Sequence, residues 1–349
     1  MARPRRSCDQ RGDTTVTETV RYIDAISSVL RQEMERDDDV FILGEDVSYG
    51  GPFGATAGLS KSFGPTRVID TPISEGAVMG LAVGAALSGC RPVVEVMFAD
   101  FVTLAMDQLV NHAAKLRYMT DGQLSVPMTI RVQGGVGGGY GAQHSQSLES
   151  WFLHVPGLKV VAPSSVLDAA GLLVAAIRDD DPVIYLEHRG LYWNRGPVAL
   201  DGSVTPIGSA SVVRPGSDVT VVAASRMVQI ALSASEKLAA EGIDIELIDL
   251  RSVAPIDWET IEKSVRQTQH LVVVHEAVVT GGLGAELVAG ISTRAFDVLT
   301  SPAVRVGAPS TPVPASPVLE QHYLPTVDDV MAAVLETLHD RQGRSTDAS

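Results

Sequence analysis

The sequence has few basic residues, few aromatics, two cysteines and no long apolar run. Its 27 Lys and Arg residues are outnumbered by 42 Asp and Glu residues, which gives a formal net charge of −15 at pH 7. Because nucleic-acid phosphates repel such a charge, the composition argues against a nucleic-acid partner, although it allows a basic protein partner. No segment reaches the ~18 consecutive apolar residues that a membrane-spanning helix needs. We therefore expect neither nucleic acid nor a membrane among the partners.

The scarcity of cysteine indicates the redox environment. Cys8 and Cys90 lie far apart and belong to no metal-ligand motif, so we expect free thiols in a reducing compartment. The polar, Arg-containing stretch at residues 1–15 is short and lacks the amphipathic pattern of a transit peptide. We expect it to be a disordered tail, as we do residues 341–349, and we expect the protein to be cytoplasmic.

The low aromatic content limits the kind of core that the chain can build. Aromatic residues are 5% of the sequence, against 45% hydrophobic residues in total, and there are 32 glycines. A core of Val, Ala, Leu and Gly suits closely packed parallel strands and helices. The length of 349 residues is enough for two ordinary domains.

Segments with strand and helix character alternate along the first half of the sequence. Strands are predicted at Val40–Leu43, Arg67–Ile69, Val93–Val96, Met128–Val132, Lys159–Ala162 and Val183–Glu187. Helices are predicted at Thr19–Arg36, Gly76–Leu87, Phe101–Tyr118 and Ser165–Arg178. Such alternation implies a mostly parallel sheet covered by helices on both faces. We assign this first domain to residues 16–195.

A second unit of the same kind follows a Gly- and Pro-containing segment, where we place a linker at residues 196–206. Its strands are predicted at Val219–Ala223, Ile243–Asp249, Leu271–His275 and Val304–Val306. Its helices are predicted at Met227–Ala240, Asp257–Gln267 and Gly284–Phe296. We assign this second domain to residues 207–340. The predicted fold class is α/β, with two domains of mostly parallel sheets covered by helices.

Two segments carry candidate chemistry. The first, Asp70-Thr71-Pro72-Ile73-Ser74-Glu75-Gly76, ends a predicted strand and opens a helix of small residues. Local physics explains Ser74 as an N-cap and Glu75 as an acid suited to the helix dipole. The second, residues 134–147, is rich in glycine and contains His144. Part of it fits a loose dinucleotide-binding pattern, but the strand and helix that such a site requires do not frame it.

Together the two segments resemble the β subunit of the thiamine-diphosphate-dependent 2-oxo acid dehydrogenases, which belong to the transketolase-like superfamily. The resemblance extends through Val40–Val47, Thr71–Glu75, Ala142–Gln146, His154–Val161, Ala176–Pro182, His275–Ala277, Gly281–Glu286 and Thr311–Pro314. It implies a pyrimidine-binding domain followed by a transketolase-type C-terminal domain. It also implies the decarboxylating component of a 2-oxo acid dehydrogenase complex, acting on pyruvate or a branched-chain acid, with an acetoin dehydrogenase as the alternative.

The resemblance gives individual residues a role. Glu75 matches the glutamate that hydrogen-bonds the cofactor's pyrimidine ring and promotes the imino tautomer, which accepts the proton from the thiazolium carbon. Ile73, Met97 and Phe101 are expected to bind the cofactor, although Ile73 and Phe101 equally suit ordinary packing. His144 is expected to face the substrate and to assist proton and acyl transfer to lipoamide.

A structural monovalent cation, usually potassium, is also implied. The matching positions are Met128, Ala176 and Ile177, through their backbone carbonyls, together with Asp179 and Asp181. Oxygen-only ligation suits a hard cation. Many relatives have Asn at the position of Asp181, so the sequence leaves the identity of the cation open. Without the resemblance, the acidic run would be interpreted as a solvated helix end.

The sequence lacks the Gly-Asp-Gly motif through which thiamine enzymes bind the Mg²⁺ that holds the diphosphate. The resemblance therefore implies a separate α subunit that holds Mg²⁺, in an assembly of two α and two β chains with thiamine diphosphate between them. A dihydrolipoyl acyltransferase is expected to dock on the acidic C-terminal domain, near Asp328 and Asp329. Glu45 and Asp46 suit either a proton path between paired sites or exposed strand ends. A non-catalytic docking subunit and a self-sufficient transketolase-like enzyme are the alternatives from other classes.

Overall fold

The larger sheet lies in the first half of the chain. The computed structural model describes residues 18–346, with side chains through residue 339, so the tail expected at residues 1–15 lies outside the described part. The strands of this sheet are β2 (Val40–Gly44), β3 (Val68–Asp70), β4 (Arg91–Val96), β5 (Thr129–Gly134), β6 (Lys159–Val161), β7 (Val183–His188) and β12 (Ser252–Ala254). They are ordered β12-β6-β7-β5-β4-β2-β3. All neighbours are parallel except β12, which pairs antiparallel with β6.

Helices cover both faces of this sheet, as the alternation predicts. Because side chains alternate between faces along a strand, Val93 and Val94 enter different apolar clusters. The Val93 cluster holds the buried sides of α1 (Tyr22–Arg36) and α6 (Val166–Arg178). The Val94 cluster holds the buried side of α3 (Glu75–Leu87) and continues into the second half of the chain.

The second half forms a five-stranded sheet of its own. Its strands are β9 (Ser211–Arg214), β10 (Val219–Ala223), β11 (Ile245–Asp249), β13 (Leu271–Val278) and β14 (Val304–Ala308). The order is β14-β13-β10-β11-β9, and only β9 runs antiparallel to its neighbour. The helices of this half are α7 (Met227–Ala240), α8 (Trp258–Thr268), α9 (Leu283–Arg294), α10 (Pro317–Tyr323) and α11 (Val327–Thr346). Within residues 18–346, no helix is both long and apolar enough to cross a membrane.

Several local expectations are corrected by long-range pairing. The first helix begins at Tyr22 rather than Thr19, because β1 (Glu18–Arg21) pairs antiparallel with β8 (Arg195–Val198). The strand β8 overlaps the region assigned to the linker, and β12 extends the first sheet from the second half of the chain. Both additions satisfy backbone groups of distant segments, which local periodicity does not reveal.

The helix predicted at Phe101–Tyr118 is three consecutive pieces. A 3₁₀ segment (Ala99–Ala105) is followed by a π-helical segment (Gln108–Ala113) and then by α4 (Ala114–Met119). The 3₁₀ segment passes so close to α3 that a Cβ on Gly76 would lie 3.2 Å from the Leu104 carbonyl oxygen. Apolar spacing does not separate these helix types, so packing against α3 decides the local geometry.

The last helix extends past residue 340, where we ended the second domain. It continues to Thr346, because no proline interrupts it. Several elements were absent from the predicted ones: the short helices α2 (Leu59–Phe63) and α5 (Glu149–Leu153), the helices α10 and α11, and the strand β9.

Candidate active site

Glu75 opens α3 immediately after β3. Ser74 occupies the N-cap position as the sequence predicts, but its side chain makes no capping hydrogen bond. Upstream, Asp70 accepts hydrogen bonds from the Ser48 backbone N–H at 2.8 Å and from the Ser48 hydroxyl. The turn is therefore held by the loop that contains Ser48 rather than by a helix cap. The side chain of Glu75 is half-buried, so a ligand can reach it.

Glu75 lines a small cleft at the carboxyl ends of β2, β3 and β4. The same cleft is lined by Glu45, Met97 and Phe101, with apolar side chains of α3 beneath them. Parallel strands bring their carboxyl ends to one edge of a sheet, which is where ligands of α/β proteins bind. The structure thus brings together three of the predicted residues: Glu75, Met97 and Phe101.

The carboxyl of Glu45, at the cleft, has a raised pKa. Partial burial raises the pKa of this carboxyl, and the nearby carboxylates of Glu75 and Asp46 raise it further. Acids that line the same cleft disfavour one another's ionisation. The charged form of Glu45 is therefore disfavoured relative to that of a solvated carboxylate.

His144 reaches the cleft from the glycine-rich loop. Its ring centroid lies 5.3 Å from that of Phe101 and 4.8 Å from that of Phe98, both in edge-to-face geometry. Edge-to-face contacts of this kind orient a ring without using its nitrogens. The imidazole therefore lies beside the Glu75 cleft.

Ile73 does not join this group. Its side chain is 81% exposed, and it is not among the cleft-lining residues. Exposed apolar side chains that cluster next to a candidate site are typical of a surface that another molecule covers.

Comparison with known proteins identifies the architecture. Residues 18–194 match the family model of the transketolase pyrimidine-binding domain, and residues 208–330 match that of the transketolase C-terminal domain. The β subunit of acetoin:2,6-dichlorophenolindophenol oxidoreductase from Bacillus subtilis is 43% identical over 90% of this chain and 96% of its own length. The mitochondrial pyruvate dehydrogenase E1 component subunit β-1 of Arabidopsis thaliana is 47% identical, over 90% of this chain and 88% of its own. The chain belongs to the family of thiamine-dependent dehydrogenase β subunits.

Solved structures agree with this placement in the transketolase-like superfamily. A split-gene transketolase, described as an inactive β4 tetramer, superimposes with a TM-score of 0.77 at 25% identity. The match covers 92% of this chain and 99% of that one. The predicted fold class, a pyrimidine-binding domain followed by a transketolase-type C-terminal domain, is confirmed.

The carbonyls expected to hold a monovalent cation in this β subunit already have protein donors. The Met128 carbonyl accepts the Val183 backbone N–H at 3.0 Å. The Ile177 carbonyl accepts the Arg91 guanidinium at 3.2 Å. The Ala176 carbonyl accepts the Asp179 N–H at 3.3 Å.

The two acids expected at that site are paired as well. Lys159 Nζ lies 2.7 Å from Asp179 and 3.1 Å from Asp181, and Arg117 lies 2.7 Å from Asp181. Burial raises the pKa of Asp181, but Arg117 and Lys159 outweigh it, so the pKa lies below its usual value. The protein's own cations thus contact these oxygens, and the potassium site stays a prediction.

A buried charge cluster, which was not among the predicted features, lies beneath the cleft. Arg131 pairs with Glu95 and, at 2.6 Å, with Glu187, whose carboxylate also accepts the Tyr192 hydroxyl at 2.7 Å. Burial raises the pKa of Glu95, although the neighbouring Arg131 lowers it. The pKa of Arg131 is raised by Glu187 and Glu95, although burial lowers it. The signal was present in the sequence, since charged residues inside apolar strands require partners.

A second buried pair, which the sequence analysis also missed, joins the two halves of the molecule. His188, the last residue of β7, lies 2.7 Å from Glu276 on β13. Glu276 falls in the matched segment His275–Ala277, and His188 directly follows the predicted strand Val183–Glu187, but nothing local connects the two residues.

Proposed function

We propose that this chain is the β subunit of the decarboxylating component of a 2-oxo acid dehydrogenase. In this function a 2-oxo acid, pyruvate or a branched-chain acid, is decarboxylated and its acyl group passes to lipoamide of an acyltransferase. The observation that carries the proposal is the cleft in which Glu75 stands beside Phe101, with the His144 ring packed against Phe101. An acid in a partly apolar cleft and a neighbouring imidazole are the parts that this chemistry requires from the β chain.

The residues of the cleft fit the aminopyrimidine end of thiamine diphosphate. When bound, that cofactor supplies the carbon nucleophile and the electron sink for decarboxylation. Glu75 would share a proton with a ring nitrogen of the pyrimidine, and the raised pKa of Glu45 supports proton retention nearby. Met97 and Phe101 would exclude water from the ring, and His144 would hold or deliver a proton during acyl transfer.

The diphosphate end is proposed to belong to an α subunit, in an assembly of two α and two β chains. The sequence has no Gly-Asp-Gly motif with which to hold the Mg²⁺ that binds the diphosphate. Ile73 is 81% exposed and Leu104 is 65% exposed beside the cleft, which supports coverage of this surface by another chain. We further propose the cytoplasm as the location and potassium as a structural ion. We also propose residues 196–206 as the boundary between domains, with its first three residues belonging to β8 of the first domain.

An acetoin dehydrogenase is the second candidate within the same chemistry. Identity to β subunits of acetoin:2,6-dichlorophenolindophenol oxidoreductase, 43% and 44%, is nearly as high as the 47% to a pyruvate dehydrogenase subunit. The intact pair of Glu75 and His144 argues against a docking subunit without activity.

The decisive experiment is reconstitution with the product of any adjacent α-type gene. Decarboxylation of pyruvate, decarboxylation of branched 2-oxo acids and cleavage of acetoin should be compared with an artificial electron acceptor. We expect one class to exceed the others at least tenfold in kcat/KM and the isolated β chain to turn over none. Calorimetry should show weak binding of thiamine diphosphate to the isolated chain, whereas tight Mg²⁺-dependent binding would contradict the shared site.

A further inference from the structure

A single buried carboxylate connects the second half of the chain to both ends of the loop that carries His144. Glu276 lies near the end of β13 and is 7% exposed. One carboxylate oxygen accepts the Val136 backbone N–H at 2.6 Å and lies 3.3 Å from the Ser147 hydroxyl. The other lies 2.7 Å from the His188 ring. Val136 and Ser147 stand near the two ends of the loop at residues 134–147.

The hydrogen bonds of His188 determine the tautomer of its neutral ring. The Gly190 backbone N–H donates to His188 Nδ1 at 3.0 Å, so in the neutral ring the proton is on Nε2 and points at Glu276. Burial raises the pKa of Glu276, but His188 and the Val136 N–H outweigh it, and the pKa lies below its usual value. Glu276 is therefore an ionised acceptor with three donors from the first half of the chain.

The loop has little conformational preference of its own. Positive φ angles occur at Gly135, Gly137, Gly138, Gly139 and Gly141. Glycine adopts such angles without strain, but the same freedom makes a glycine-rich segment flexible unless other contacts hold it. Part of the loop borders a cavity of about 700 Å³ between the two halves, so apolar packing is incomplete on that side. The loop's shape must therefore be imposed by contacts from outside.

Other polar contacts also hold the backbone of this loop. Glu320 accepts the Gly139 N–H at 3.0 Å, and Arg226 donates to the Val136 carbonyl at 3.3 Å. Arg189 donates to the Gly135 carbonyl at 2.6 Å. The same Arg189 nitrogen lies 3.5 Å from the Ser145 hydroxyl, so Arg189 also contacts both ends of the loop, but from the first half of the chain. Glu276 contacts both ends from the second half, through one buried carboxylate.

We propose that Glu276 is a positioning residue, whose carboxylate holds the 134–147 loop in the shape that presents His144 to the cleft. Glu276 does not touch the cleft itself and acts through Val136, Ser147 and His188. The consequence for turnover rests on the proposed function, but the order of the loop does not. The C-terminal domain thereby contributes to the active site of the same chain.

The test is Glu276→Gln, with Glu286→Gln on the exposed side of α9 as the matched control. The new amide has one acceptor oxygen and one NH₂ donor. In either orientation it faces the His188 N–H or the Val136 N–H with a donor, so at least one of the three contacts is lost. Hydrogen exchange of the full-length chain should become about tenfold faster or more in the 134–147 peptide, as expected for loss of one charged hydrogen bond. Peptides of the neighbouring β13 and α9 should keep their protection.

Activity of the reconstituted enzyme is the second measurement. Lipoamide-dependent turnover should fall about tenfold in Glu276→Gln, with a smaller loss in decarboxylation measured with an artificial acceptor and an unchanged KM for the 2-oxo acid. If no 2-oxo acid or acetoin is turned over by the wild-type assembly, the proposed function fails while the exchange result still decides the role of Glu276.

A third variant covers the case in which Glu276→Gln unfolds. Ser147→Ala removes the longest of the three contacts and should accelerate exchange of the loop about threefold without global loss of protection. The proposal is overturned if, in a loop variant that folds, the hydrogen-exchange rate of the 134–147 peptide equals that in Glu286→Gln. Faster exchange across the whole second half would also overturn the proposal, since it would make Glu276 a general structural residue.

Discussion

The ring of His144 packs edge-on against that of Phe101, with centroids 5.3 Å apart, and Phe101 lines the cleft that holds Glu75. This contact joins the glycine-rich loop to the strand-to-helix junction that opens α3. Two segments that are far apart in the sequence thus form one candidate site on the β subunit.

Replacing Glu75 by Gln should abolish most activity without preventing assembly. The amide keeps the size of the side chain but cannot share a proton with the pyrimidine ring. We expect a loss of about 2–4 kcal/mol of transition-state stabilisation, as for other single catalytic groups. The measurement is kcat/KM for decarboxylation by the reconstituted enzyme, with Glu35→Gln on the exposed side of α1 as control. Near wild-type turnover would remove Glu75 from the mechanism.

Replacing His144 by Ala should separate the two half-reactions. If the imidazole serves mainly the acyl transfer, the lipoamide-dependent rate should fall at least tenfold more than decarboxylation measured with an artificial acceptor. His154→Ala, at an exposed position downstream of the loop, is the control and should change neither rate. Equal losses in both assays would show that His144 acts before acyl transfer or only orients the cofactor.

Asp249 should make the free energy of unfolding depend on pH. Burial raises the pKa of this carboxyl to about 7, despite the hydrogen bond from Ser164 and the Arg251 N–H at 3.0 Å. The unfolded value is about 3.9, so the native state binds more protons between about pH 4 and pH 7, and stability falls as pH rises through that window.

The variant Asp249→Asn cannot ionise and should lose this dependence. Relative to wild type, it should gain stability at pH 8, by about 4 kcal/mol at most, and gain little at pH 4. The measurement is the midpoint of thermal unfolding from pH 4 to 8, with the exposed Asp39→Asn as control. Parallel curves for wild type and variant would contradict the raised pKa.

Asp328 is a cleaner test of acyltransferase docking than Asp329. Its carboxylate is 88% exposed near Lys237, whereas Asp329 accepts the Thr326 N–H at 2.8 Å and its hydroxyl at 2.6 Å. Reversal of Asp329 would also remove this cap at the start of α11. We expect Asp328→Lys to slow association with the acyltransferase several-fold at low salt, and the difference to vanish at high salt. Glu35→Lys is the control, and rates insensitive to salt and to Asp328→Lys would end the electrostatic docking idea.

The sequence by itself determined the α/β class, the alternation of elements and the position of Glu75. These follow from local physics, because apolar strands such as Val93–Val96 and small-residue helices such as Glu75–Leu87 carry their period in consecutive residues. The carboxyl end of a parallel strand followed by a helix is also a local feature. That is why the Glu75 junction could be singled out before any contact was known.

Only the tertiary structure decided what surrounds that junction. Three contacts join segments that share no sequence period: the ring contact of His144 with Phe101, the pairing of β1 with β8, and the hydrogen bond from the Val136 N–H to Glu276. Buried charges such as Arg131 and Glu276 require partners, but the sequence does not name them, since any donor or acceptor brought close by packing can serve. The chain's local pattern therefore determines its elements, and long-range packing determines which of their side chains share a site.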